Sequence, residues 1–271
     1  VKANEQVSVT FVNPRQLGSV KITKTDDATP GNPLAGAEFT LYKDIDPIGG
    51  TRGAEDTVTT QTCTTGADGT CEIPNVLPGQ YWVVETVTPA NHDTAADQHV
   101  TVTANEQVSV TFVDQRHRGA ILVKKTRKHA ADGSGDHPHQ GVNFTVNGAT
   151  KATDSNGEAC FDGLLFDDYT VHEDTPAGYE GEADKTVTVD NKASCGDDPY
   201  VGETVSFSNT PLSNITVSFE SQVPGGTAAT IECSELTATP PDGTPNLFDD
   251  TSETFEDLVP GTYTCTVVVD P

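Results

Sequence analysis

The sequence predicts an all-β chain: a rod-like array of tandem antiparallel β-sandwich modules with Greek-key connections. Three observations predict it. Apolar and polar residues alternate with period two along nearly every patterned stretch, and no stretch sustains a helical stripe. Turn formers punctuate those stretches, and Asp68-Gly69 and Asn156-Gly157 read as hairpin dipeptides between strand-like runs. The chain also repeats itself at module length.

The elements follow in order. Val1–Asn13, VKANEQVSVTFVN, returns as VTANEQVSVTFVD at Val102–Asp114, with only Lys2/Thr103 and Asn13/Asp114 exchanged. The opening stretch has the pattern of a closing strand without a first strand, so residues 1–17 are expected to be the closing strand of a preceding module plus a linker. Residues 18–115 form the first full module. It runs through the first strand GSVKITKTDD, then AGAEFTLYKD from Ala35, the Asp-Gly turn, LPGQYWVVET at Leu77–Thr86 and the closing VSVTFVD. Residues 116–211 repeat the series as GAILVKKTRK, HQGVNFTVNG from His139, the Asn-Gly turn, LFDDYTVHED and a closing TVSFSN ending at Asn209. Residues 212–271 hold a divergent copy, from Asn214-Ile215-Thr216-Val217 to VPGTYTCTVVVDP, that is expected to be truncated. The connections NPRQLG, DQRHRG and NTPLSN are short and carry proline or bulky residues, which favours a stiff array.

Composition narrows the function. The chain has 271 residues, enough for two or three modules. Fifteen Lys+Arg against 41 Asp+Glu give a net charge of −26. Phosphate binding needs clustered cations, so nucleic acid is not an expected partner; the acidity reads as a soluble, self-repelling surface. No apolar run is long enough to span a bilayer, so no direct membrane insertion is expected, and no start resembles a signal peptide. Six cysteines without a CxxC pair read as a disulfide framework in an oxidising, extracytoplasmic location. Pairings that respect the module boundaries join Cys63 to Cys71, Cys160 to Cys195 and Cys233 to Cys265, although spacing alone leaves the connectivity open. Asp136-His137-Pro138-His139 reads as a solvated turn rather than a metal site. No cofactor is called for.

Strand parity brings three polar residues onto an apolar face. Side chains at i, i+2 and i+4 share a face. Val20 and Ile22 lead to Lys24, Tyr81 and Val83 lead to Glu85, and Val110 and Phe112 lead to Asp114. The second module repeats this with Ile121, Val123 and Lys125, with Tyr169, Val171 and Glu173, and with Val205, Phe207 and Asn209. A buried salt bridge is the plainer reading. It does not account for Asp114 alternating with Asn13 and Asn209, because an ion pair loses its anion when Asp becomes Asn. Attack of a lysine amine on Cγ accepts both residues and gives the same amide, with water leaving from Asp and ammonia from Asn. Apolar surroundings lower the lysine pKa and raise that of a neighbouring carboxyl, so the glutamate is placed to shuttle protons.

The residues that carry these features, PLAGAEFTLY, LPGQYWVVET and a closing V-x-F-x-[ND], resemble the collagen-adhesin B-type repeat. These prealbumin-like domains, also called SpaA-like, occur in Gram-positive adhesins and pilins. The resemblance is close over 18–115 and looser over 119–211, where Arg127 replaces the acid usual after the lysine. It implies self-formed isopeptide bonds joining Lys24 to Asp114 with Glu85 assisting, and Lys125 to Asn209 with Glu173 assisting. Asn13 would be the acceptor for a preceding module's lysine. In the third copy Phe219 stands at the lysine position and Val267 at the glutamate position.

The function expected is a structural stalk or fibre shaft on a bacterial surface. Its partners would be neighbouring modules of the same array, with head-to-tail or lateral fibre assembly. The competing reading is an adhesin module that itself grips a host or matrix protein, which calls for an exposed aromatic patch; aromatics are only 6% and lie mostly at core parity. The triads react once each, so no enzyme is expected.

Overall fold

A computed structural model describes residues 2–45, 49–128, 135–218, 228–233 and 252–270. The chain divides into two compact units, Val1–His117 and Arg118–Pro271.

Among the described residues the first unit holds eight strands: β1 Gly18–Asp26, β2 Glu38–Lys43, β3 Thr57–Thr64, β4 Thr70–Val76, β5 Gly79–Val87, β6 His92–Asp93, β7 Gln98–Val102 and β8 Gln107–Arg116. They form two four-stranded sheets, ordered β4-β1-β8-β6 and β3-β2-β5-β7. Valine, isoleucine, threonine and aromatics at alternate positions suit a pleated, half-buried surface. In β1 the residues Val20, Ile22 and Lys24 point inward while Lys21 is exposed. Val20, Ile22, Phe39, Leu41, Ile73, Val83, Val100 and Phe112 build the core between the sheets, each large side chain contributing about 1.5–3 kcal/mol.

The sheets are antiparallel with one exception. β1 pairs with β8 in parallel, Val20 opposite Val108, Ile22 opposite Val110, Lys24 opposite Phe112 and Asp26 opposite Asp114. First and last strands are therefore neighbours, and paired residues share a face.

The Asp-Gly turn also differs from the expected hairpin. Among the described residues β3 pairs only with β2, and β4 only with β1, so Asp68-Gly69 carries the chain from one sheet to the other. Gly69 has φ +70°, and a Cβ there would lie 2.5 Å from the carbonyl oxygen of Lys24. The glycine is needed because the turn backs onto the lysine itself: Lys24 N–H donates to Gly69 O at 2.7 Å. The Cys63–Cys71 disulfide spans this corner and ties the two sheets.

The second unit repeats the design with β9 Arg118–Arg127, β10 His137–Pro138, β11 Asn143–Val146, β12 Ala149–Ala152, β13 Glu158–Leu165, β14 Asp167–Glu173, β15 Tyr179–Glu180, β16 Lys185–Val189 and β17 Glu203–Pro211. One sheet runs β10-β9-β17-β15, with β13 also on β9, and the other runs β12-β11-β14-β16. β9 and β17 are again parallel, with Lys125 opposite Phe207 and Arg127 opposite Asn209. Gly157, at φ +75°, backs onto the Lys125 carbonyl as Gly69 does onto that of Lys24. Cys160 is bridged to Cys195.

The same unit contains β18 Ser213–Ser218, β19 Ala228–Cys233, β20 Ser252–Leu258 and β21 Cys265–Asp270, paired as β18-β20 and β19-β21. Cys233, Phe255 and Leu258 form a small core with Ile215, Val217, Tyr263 and Cys265 packed on it, and Cys233 is bridged to Cys265. A tyrosine device marks all three copies. Tyr81, Tyr169 and Tyr263 each donate a hydroxyl hydrogen bond to the carbonyl four residues back, of Leu77, Leu165 and Val259.

Candidate functional site

Lys24 on β1 and Asp114 on β8 lie on the core face of one sheet, and Glu85 on β5 faces them from the other. All three side chains are fully buried. Lys24 Nζ donates to Asp114 Oδ1 and, at 2.9 Å, to Glu85 Oε2. The parallel register explains the approach: Lys24 stands opposite Phe112, so its side chain needs to reach only two residues along β8. The amine is walled by the rings of Phe112 and Phe39, with centroids 5.7 and 5.8 Å away; the two rings pack at 4.8 Å. The N–H of Ala95 donates to Glu85 Oε2 at 3.1 Å and holds the carboxyl in place. Glu85 Oε1 and Asp114 Oδ2 are buried without a hydrogen-bond partner among the described residues. Burial pushes the Glu85 carboxyl above its ordinary range, against the opposing pull of Lys24.

The second unit builds the same constellation. Lys125 on β9, Glu173 on β14 and Asn209 on β17 are buried. Lys125 Nζ donates to Asn209 Oδ1. Glu173 Oε1 lies 2.8 Å from Lys125 Nζ and accepts from Asn209 Nδ2 at 2.7 Å. One carboxylate oxygen therefore touches both the amine and the amide nitrogen. Phe144 and Phe207 pack at 5.0 Å beside it, as Phe39 and Phe112 do in the first unit. Burial pushes the Lys125 amine below its ordinary range, and Glu173 opposes that shift.

Chemically, each site holds a lysine amine against a side-chain carbonyl in a dry, aromatic-walled slot beside a carboxyl. Burial favours the neutral acid at Glu85 and the neutral amine at Lys125, and a neutral amine is the form that attacks a carbonyl.

The remaining sequence expectations divide. Lys2–Leu17 form no strand among the described residues, and Val7, Val9 and Phe11 are 61%, 69% and 91% exposed. Asn13 is exposed as well. In the third copy Phe219 and the side chain of Val267 lie outside the described residues. The Asp136–His139 stretch is not the solvated turn expected. His137 and Pro138 pair with Arg127 and Thr126, and the His139 ring packs on Tyr179 at 4.7 Å. No group of three or more His, Cys, Asp or Glu gathers as a metal site among the described residues.

Sequence reasoning did not single out Ala95, whose role is a backbone N–H, or the pair Gln98 and Lys185. Those two side chains bridge the sheets beside Phe112 and Phe207, and their equivalence shows only once the strand pairings are known.

Comparison with known proteins agrees with this architecture. The model of the SpaA prealbumin-like fold domain matches residues 18–116 and 124–197. Among solved structures, the Bacillus anthracis TIE protein is similar over 94% of this chain and 46% of its own, with 19% identity and a TM-score of 0.53. This chain thus spans less than half the length of that protein. The minor pilin GBS52 of Streptococcus agalactiae matches with 17% identity and a TM-score of 0.31, over 77% of this chain and 99% of its own. The shaft pilin SpaA of Lactobacillus rhamnosus GG matches with 16% identity and a TM-score of 0.34, over 73% and 98%. No curated protein matches the chain.

Proposed function

The chain belongs to the SpaA family of prealbumin-like fold domains, and we propose that it is a length of structural shaft from a pilus- or adhesin-like fibre on a Gram-positive cell surface. Its modules 18–115 and 116–211 are sealed by isopeptide bonds, Lys24 to Asp114 and Lys125 to Asn209. The observation that carries this reading is the position of Glu173 Oε1, within hydrogen-bond distance of both Lys125 Nζ and Asn209 Nδ2.

The neutral Lys125 amine attacks Cγ of Asn209. The Nζ–Cγ bond forms, the Cγ–Nδ2 bond breaks, and the proton lost by Nζ passes through Glu173 to Nδ2, which leaves as ammonia. In the first module Lys24 Nζ attacks Cγ of Asp114, the Cγ–Oδ2 bond breaks, and the two protons that the Lys24 ammonium gives up in all pass through Glu85 to Oδ2, which leaves as water. Each triad reacts once and the product stays in the chain, so this is self-modification rather than turnover.

The bond suits a shaft because of where it closes. Lys24 is near the start of its module and Asp114 near the end, on adjacent strands. Tension along the chain then passes through the covalent link and bypasses the residues between. Three disulfides fit the same extracellular setting. Partners would be further modules of this type and other fibre subunits. Among the described residues Lys2–Asn13 forms no strand, and its exposed Val7, Val9 and Phe11, with the near-identity of Val1–Asn13 to Val102–Asp114, fit this stretch to close a further module of this kind, with Asn13 as the acceptor for that module's lysine.

Glu85→Ala and Glu173→Ala test the assignment. Each variant is expected to fold while leaving only its own lysine unlinked, as read by peptide mapping. Efficient linkage in either variant would remove the shuttle role.

A further inference from the structure

Gln98 and Lys185 occupy one position of the fold. Gln98 opposes Val83 across β5 and β7, and Lys185 opposes Val171 across β14 and β16. Each side chain leaves its own sheet and reaches the other: Gln98 Nε2 donates to Thr111 O at 2.5 Å, and Lys185 Nζ to Ser206 O at 2.7 Å. Thr111 and Ser206 immediately precede Phe112 and Phe207, the residues that stand opposite the reactive lysines. This latch between sheets is neutral in one module and cationic in the other. The Lys185 ammonium also lies 4.4 Å from the Phe207 ring centroid.

We propose that Lys185 is a positioning residue for the Lys125–Asn209 condensation: its ammonium, held over Phe207, opposes a second positive charge on Lys125 and keeps that amine in its neutral, nucleophilic form. The inference rests on the isopeptide reading above. The two modules differ in what they offer the amine's proton. The first has two carboxyls, Glu85 and Asp114. In the second, Asn209 does not titrate and Glu173 alone must accept, so a nearby cation that disfavours the ammonium assists where the second acid is missing. Burial is the main cause of the depressed Lys125 pKa, and Lys185 acts in the same direction.

Other charges face this end of the module. Glu182 contacts Lys185 and favours the Lys125 ammonium, so removing Lys185 alone leaves Glu182 unopposed and moves Lys125 the same way. His139 after β10 and Arg127 on β9 are further basic groups near Lys125. His172 on β14 is held by Asp184 at 2.7 Å and lies 3.5 Å from Asp174.

The test uses the full chain recovered unfolded from inclusion bodies and refolded by dilution across a pH series, with acid quenching and peptide mapping of the Lys125–Asn209 link. Lys185→Gln keeps the latch to Ser206 O in the form the first module uses and removes only the charge. Its linking profile is expected to move to higher pH by about half a unit, so that linking below the midpoint slows about threefold. Lys185→Arg is expected to restore the original profile, and the Lys24–Asp114 link in the same molecules to keep its own. An unshifted profile in Lys185→Gln, with normal linking in the parent chain, overturns the role of Lys185. Absence of the link in the parent chain at every pH overturns the isopeptide reading instead, and this inference with it.

Discussion

Replacing Asp114 by asparagine separates a covalent bond from an ion pair more cleanly than deletion does. Lys24 and Asp114 are fully buried. If they were an ion pair, Asp114→Asn would remove an anion from beside a buried ammonium, at a cost of about 3–5 kcal/mol. If they are linked, the asparagine variant loses ammonia where the parent loses water, and the product is the same molecule. Parent and Asp114→Asn should then have indistinguishable mass and Tm. Asp114→Ala sets the scale of the loss. The link joins residues 90 apart, and by loop-closure entropy such a tie is worth about 4–5 kcal/mol. For a domain of this size, roughly 4–8 °C per kcal/mol lowers the module's Tm by about 20 °C or more. Scanning calorimetry with intact mass on the three proteins is the assay. An Asp114→Asn protein that melts with the alanine variant and shows no loss of ammonia would refute the reasoning.

Two further outcomes follow from the structure. Cys63–Cys71 crosses the corner between sheets with a separation of eight residues, worth about 2.5 kcal/mol by the same entropy, so Cys63→Ser/Cys71→Ser should lower the first module's Tm by about 10–20 °C; an unchanged Tm would show that the bridge adds nothing. Asp44 accepts from Gly49 N–H at 2.8 Å and lies 2.7 Å from His99 Nε2, and the Gly49 hydrogen bond, with His99 adding to it, holds the carboxyl below its ordinary range. A depressed folded pKa means the stabilisation is present above the ordinary value of 3.8 and is lost as pH falls through the folded one. The Gly49 amide resonance should therefore titrate with a midpoint below 3.8; a midpoint at or above it contradicts the account.

Much of the site was legible because strand parity is local. Once Val20 and Ile22 face inward, Lys24 must as well, and the same holds for Glu85 behind Tyr81 and Val83 and for Asp114 behind Phe112. What was hidden depends on which strands become neighbours. The parallel pairing of β1 with β8 joins residues nearly a module apart, and no local pattern announces it. Asp68-Gly69 has the composition of a hairpin turn, yet its glycine is required by a close approach to the Lys24 carbonyl. Parity also misleads at Trp82. It lies on the opposite face of β5 from Tyr81 and Val83, but it is buried, with the His99 ring packed against it at 4.9 Å.

The most direct test of the central claim is the intact mass of the 271-residue chain under reducing conditions. The account predicts a mass below that of the sequence by one water and one ammonia, assigned by peptide mapping to Lys24–Asp114 and Lys125–Asn209. A chain of full sequence mass, folded and with both lysines unmodified, would contradict it.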